Sequence, residues 1–196
     1  MATIQEFKSA LSNGGARANQ FEVILPSWDS NSNQKSRFLC KSASLPASDI
    51  QDIEVLYRGR PVHFAGERTF QPWTVTVINE TDFSIRTEME NWMNAISMTS
   101  QTNGITNPGS YQRNMSVYQL DRNDQQIYEY SFFDAYPTNV SEIQLSFDQG
   151  QLIEEFQVTF TYNYWISVNL GGGFVSEALS TIGKGSNAIG AIKGLF

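Results

Sequence analysis

One histidine, one cysteine and a scatter of carboxylates are what this sequence offers for chemistry. His63 stands alone in PVHFAG, so no His-based metal cluster can form, and a Ser-His-Asp relay would have to run through that single ring. Its apolar neighbours fit a strand histidine with a structural hydrogen bond. Glu154/Glu155 and Glu88/Glu90 are the kind of acid pairs that glycoside hydrolysis needs across a cleft, but in a chain of formal charge −7 such pairs are ordinary solvated surface. GKGS at residues 183–186 lacks the upstream glycine and the Lys-Ser/Thr ending of a phosphate loop, and DRND at residues 121–124 lacks most of the ligands of a calcium loop. Cys40, in FLCK, has no partner for a disulfide and reads as a small buried apolar residue in a reducing compartment. The residues point away from an enzyme and call for no metal or cofactor.

The elements around them read mostly as strands. Trp73, Val75 and Val77 alternate with Thr74 and Thr76 at the two-residue period of a strand with one face buried. After Asn79 the rhythm changes: Ile85, Met89, Trp92 and Ile96 recur at helical spacing, with Thr81 as the expected cap and Glu80 and Asp82 at the positive end of the helix dipole. Strands are expected at Gln20–Leu25, Asp49–Tyr57, Tyr111–Leu120 and Gln126–Phe133, the last two joined through DRND as a hairpin. Ile143, Leu145 and Phe147 alternate again. Glu155–Trp165 gives the clearest pattern, with Phe156, Val158, Phe160, Tyr162 and Tyr164 on its apolar face. WDSNSNQKS and QTNGITNPGS are expected to be loops. The pattern predicts an α+β, mostly antiparallel sandwich or partial barrel with one flanking amphipathic helix.

With 196 residues the chain is most economically one domain, residues 1–165, followed by a glycine-rich extension, residues 166–196. A formal charge of −7 argues against nucleic-acid binding. The start MATIQEFKSALSNGG lacks the features of a secretory signal, and the uncharged run Phe156–Ser176 is too interrupted by polar residues to be a spanning helix, so no membrane anchoring is expected.

Two stretches carry a family likeness. FLCKSASLPASDIQDIEVLYRGRPVHFAGERTFQPWTVTVINETDFSIRTEMENWMNAI, residues 38–96, and AYPTNVSEIQLSFDQGQLIEEFQVTFTYNYW, residues 135–165, resemble the tail tube proteins of contractile-tailed phages of the T-even-like group. The shared features are the CK..SLP step, the GR...AG.RTF..WTVTV.N strand, the helix ending near Trp92, the PTNV turn and the closing strand in YW. ARANQFEVIL looks like the family's first strand. The chain continues about thirty residues past the YW, whereas members of the family end soon after it.

The resemblance implies a hexameric ring whose subunits join strands into one continuous β-barrel. Rings would stack into a hollow tube inside a contractile sheath, assembled in the host cytoplasm and carried in the virion tail. The implied partners are further copies of the chain, the tail sheath protein, a baseplate tube initiator and a tail terminator, with genomic DNA passing through unbound. In that setting Asp52, Glu54 and Glu129, on the polar faces of two strands, are the expected lumen-facing residues, and residues 42–60 with the N-terminal arm the expected contacts between subunits. The alternatives are the tube of a related contractile injection device and, from another class, a carbohydrate-binding β-sandwich, which would show its aromatics on loops or one exposed face.

Overall fold

The computed structural model describes residues 3–11, 15–28, 33–100, 103–148 and 150–170. Its elements are, in order, α1 (Ile4–Ala10), β1 (Phe21–Ile24), α2 (Asn33–Leu39), β2 (Cys40–Ala43), β3 (Ser48–Tyr57), β4 (Arg60–Phe70), β5 (Trp73–Ile78), α3 (Ser84–Ile96), α4 (Pro108–Tyr111), β6 (Arg113–Leu120), β7 (Gln126–Val140), β8 (Glu155–Thr161) and β9 (Tyr164–Asn169). The chain is mostly β, as its alternation predicts. It divides into two compact units, the larger formed by residues 23–117 and 130–166. Most of the expected extension, residues 171–196, lies outside the described residues.

The larger unit is built on most of a sheet of order β1-β6-β7-β8-β5-β2, with β9 paired to β7. Alternation places Trp73, Val75 and Val77 of β5 on one face, and the antiparallel register sets them against Phe160, Val158 and Phe156 of β8, all six buried. Phe132 joins them, its ring 5.0 Å from that of Trp73. The helix α3 lays Ile85, Met89 and Trp92 on this face, and the indole of Trp92 lies 6.3 Å from the Phe160 ring while its N–H donates to the Tyr111 carbonyl at 2.7 Å.

Several local expectations give way to particular interactions. The cap of α3 is Phe83 in the left-handed region, φ 53°, and not Thr81. Asp82 takes over the role by accepting the Ser84 N–H at 3.1 Å, and Lys35 reaches across to Asp82 and Glu80 at 2.7 and 2.8 Å. That lysine sits in α2, a helix over residues 33–39 where polar composition suggested loop. The final strand breaks after Thr161, so that Tyr162 is buried but Tyr164 lies exposed, stacked on Phe133 at 4.8 Å. Residues 143–147, expected as a strand, form none. β7 runs on through Pro137 to Val140, and its register with β8 shifts between Pro137 and Asn139, where the missing proline N–H would interrupt the ladder. Gly104 approaches the last turn of α3 so closely that a Cβ there would lie 2.0 Å from the Ile96 carbonyl oxygen.

The smaller unit contains, among the described residues, 3–11, 15–22, 118–129 and 167–170. DRND forms the expected hairpin turn: the Asp121 carboxylate accepts the N–H groups of Asn123 and Gln125 at 2.7 and 2.9 Å. These two bonds, that from Gln125 first, hold its carboxyl below the usual carboxylate range. Gln119 donates to the Arg17 and Gln20 carbonyls. A capping box of Thr3 and Glu6 starts α1, which leaves Ile4 and Phe7 exposed.

Candidate assembly surface

Strands β3 and β4 form a sheet of their own, ten and eleven residues long. The turn is Arg58-Gly59, with φ 49° and 80°, the two left-handed residues that let a two-residue hairpin keep its strands twisted together. Cross-strand register pairs Ile53 with Phe64, Val55 with Val62 and Glu54 with His63. Alternation therefore gives the outer half of the hairpin two unlike faces. One carries Ile53, Val55, Tyr57, Val62 and Phe64; the other carries Asp52, Glu54 and His63. All five apolar residues are between 41% and 63% exposed, so a face patterned like half of a core has no second layer among the described residues.

The root of this hairpin is fastened by aromatics that sequence reasoning read only as strand filling. The indole N–H of Trp73 donates to the Ser44 carbonyl at 2.6 Å, that of Trp165 to the Ala47 carbonyl at 3.3 Å, and the Tyr162 hydroxyl to the Gln71 carbonyl at 2.9 Å. Phe70 packs its ring 6.1 Å from Tyr162 and 6.3 Å from Trp165. Each aromatic thus uses its apolar body for packing and its polar tip to hold backbone on one side of the hairpin or the other. The sequence signal was present in the YNYW cluster, whose aromatic residues carry polar tips.

Asp52 and Glu54 stand together on the polar face, and the Asp52 carboxylate lies 2.6 Å from Nδ1 of His63. The lone histidine is thus in a hydrogen bond, though on an exposed strand. Glu129 belongs to the smaller unit, where it accepts the Tyr118 hydroxyl at 3.0 Å. Cys40 is half-buried beside the end of α2, and burial pushes its thiol up to about 12. No group of three potential metal ligands occurs among the described residues.

A second exposed apolar patch lies between β7 and β8. Leu145, Leu152 and Ile153 are at least 70% exposed and Phe147 is fully so. The class so defined is a mostly β chain with two exposed apolar surfaces and, among the described residues, no cluster of metal ligands.

The sequence profile of the phage tail tube protein family matches residues 7–168, and the chain belongs to that family. It is 35% identical over 153 residues to the tail tube protein gp19 of Enterobacteria phage T4, covering 76% of this chain and 90% of that one. To the tail tube protein of Serratia phage KSP90 it is 28% identical over 176 residues, covering 86% and 98%. Among solved structures, a chain of the anti-feeding prophage baseplate superposes with a TM-score of 0.58 at 9% identity, covering 80% of this chain and 97% of that chain. A chain of the sheath-tube complex of an extracellular contractile injection system, PVC, gives 0.53 at 12%, covering 87% and 100%. At these identities the structural likenesses establish the fold. The family establishes a structural tail tube protein, a component of the virion.

Proposed function

We propose that six copies close into a ring through which the sheets run as one continuous β-barrel, and that rings stack into the hollow inner tube of a contractile tail. The reading rests on the β3–β4 hairpin, whose bare apolar face needs a layer that other copies supply. Sheath, baseplate initiator and tail terminator are the partners at the tube's outside and two ends. The tube conducts genomic DNA and performs no catalysis. Guidance without grip requires a polar wall of the same sign as the duplex, which carries one charge per ~1.7 Å of axis. Six chains of formal charge −7 each suit that task, with Asp52, Glu54 and Glu129 on the lumen side. Screening reaches only about 8 Å at physiological salt, so these wall carboxylates matter more than distant surface charge.

Negative-stain electron microscopy of the purified protein across a concentration series tests the reading. Sixfold rings or hollow tubes are the expected result. Monomers that persist even when tail baseplates are added as initiators would reject it.

A further inference from the structure

Ile143, Leu145 and Phe147 alternate with Gln144 and Ser146, the pattern of a strand with one apolar face, yet residues 141–146 lie in no strand. Sequence period and structure disagree here for a physical reason that the exposures reveal. Leu145 is 78% exposed and Phe147 fully so, with Ile143 half-buried, which means that the outer part of the apolar row faces water where a strand would face a sheet. A row patterned for pairing but unpaired within one chain is completed by an edge from elsewhere.

We propose that residues 142–147 of one copy add as a third strand to the outer edge of β4 in a second copy. The inference rests on the assembly reading above and names the contact within it. Length and charge select the edge. The outer strands of the larger sheet, β1 and β2, are four residues each and too short for a six-residue addition. β9, YWISVN, is long enough but uncharged. β3 and β4 have ten and eleven residues. Segment 142–148 carries Glu142 and Asp148 and no base; β3 carries Asp49, Asp52 and Glu54, so the two repel. β4 carries Arg60 and Arg68 against a single Glu67, the one long edge among the described strands with a net positive charge. A two-stranded hairpin is marginal in water and is stabilised by a third strand. In this pairing Leu145 extends the apolar face of Val62 and Phe64, while Gln144 and Ser146 extend the polar face of His63.

Engineered disulfides between copies test the contact. In a Cys40→Ser background, Leu145→Cys is combined with Phe64→Cys or with Val62→Cys, and the protein is oxidised mildly under assembling conditions. All three altered positions are exposed, so the monomer fold does not depend on them. A ladder of linked dimers and higher multimers on non-reducing gels, absent from each single variant, is expected. Rings or tubes visible by microscopy with no ladder, or with only an internally linked monomer, would overturn the pairing while leaving the assembly reading intact. A ladder without rings would uphold the pairing and reject the ring. Neither rings nor ladder would reject both. As a second measurement, Leu145→Asp should raise the concentration needed for assembly about tenfold or more, the loss of one buried anchor; unchanged assembly would overturn the pairing.

Discussion

The carboxylate of Glu88, buried in the middle of α3, accepts the backbone N–H of Trp28 at 2.5 Å and the Ser27 hydroxyl at 2.6 Å. This clamp sets the Trp28 ring parallel to that of Trp92, 5.9 Å away, with the Arg113 guanidinium 5.0 Å from the Trp28 ring centre. Glu88→Ala would leave a part-buried N–H without its acceptor and should cost about 1–3 kcal/mol. Urea unfolding followed by tryptophan fluorescence measures it. Glu88→Gln, which keeps an acceptor oxygen, should cost less.

Trp92 is the centre of the helix–sheet contact and is wholly buried. Replacing it by alanine removes a large side chain and orphans the Tyr111 carbonyl it serves. A loss of about 3–5 kcal/mol is expected, enough to unfold a marginal subunit, with calorimetry as the check.

Lys35 gives the fold an acid-sensitive joint. Its ammonium, with the Ser84 N–H second, holds the Asp82 carboxyl well below the ordinary value of 3.8. A depressed folded value stabilises the fold above the unfolded pKa and loses that contribution as pH falls through the folded one. The melting temperature of the native protein should therefore drop from about pH 4 downward more steeply than that of Asp82→Asn. Both groups lie at the surface, so raised salt should shrink the difference.

The high thiol pKa of Cys40, about 12, keeps it protonated at ordinary pH. Alkylation at pH 8 should be slow in the native state and rapid in urea. Equal rates would mean that β2 opens readily from β5.

Charge reversal examines the proposed bore. Asp52→Lys, Glu54→Lys and Glu129→Lys together should slow DNA ejection or lower infectivity. Unchanged ejection would remove these residues from the lumen. Deletion of residues 2–12 should impair stacking, and tubes of normal length in that variant would exclude the N-terminal arm.

Period and polarity made much of this molecule legible beforehand. β5, β8 and α3 were readable because each buries one face, and burial writes its period into the sequence: Trp73, Val75 and Val77 in one case, Ile85, Met89 and Trp92 in the other. What escaped was decided by tertiary contact. The short helix α2 is tied to α3 through Lys35, the cap of α3 moved to a left-handed Phe83, and Tyr164 found a stacking partner in Phe133 outside the core. Residues 143–147 show the reverse case, a strand pattern with no strand beside it. Of the expected site, strand β3 with its acids Asp52 and Glu54 was visible in alternation, but its pairing with β4 into a hairpin was not, and neither was the bond to His63, which links neighbours on a diagonal of the ladder.

The aromatic fastening of the hairpin has a mechanical side. Trp73, Trp165 and Tyr162 grip backbone at Ser44, Ala47 and Gln71, beyond both strands' inner ends, while the turn at Arg58-Gly59 is the far end. A tug on that turn along the strands would reach three anchors on two separate chain segments together. The load is shared between them, and the hairpin behaves as a tether bolted on both sides, able to transmit tension into β5 and the β8–β9 corner without peeling strand by strand.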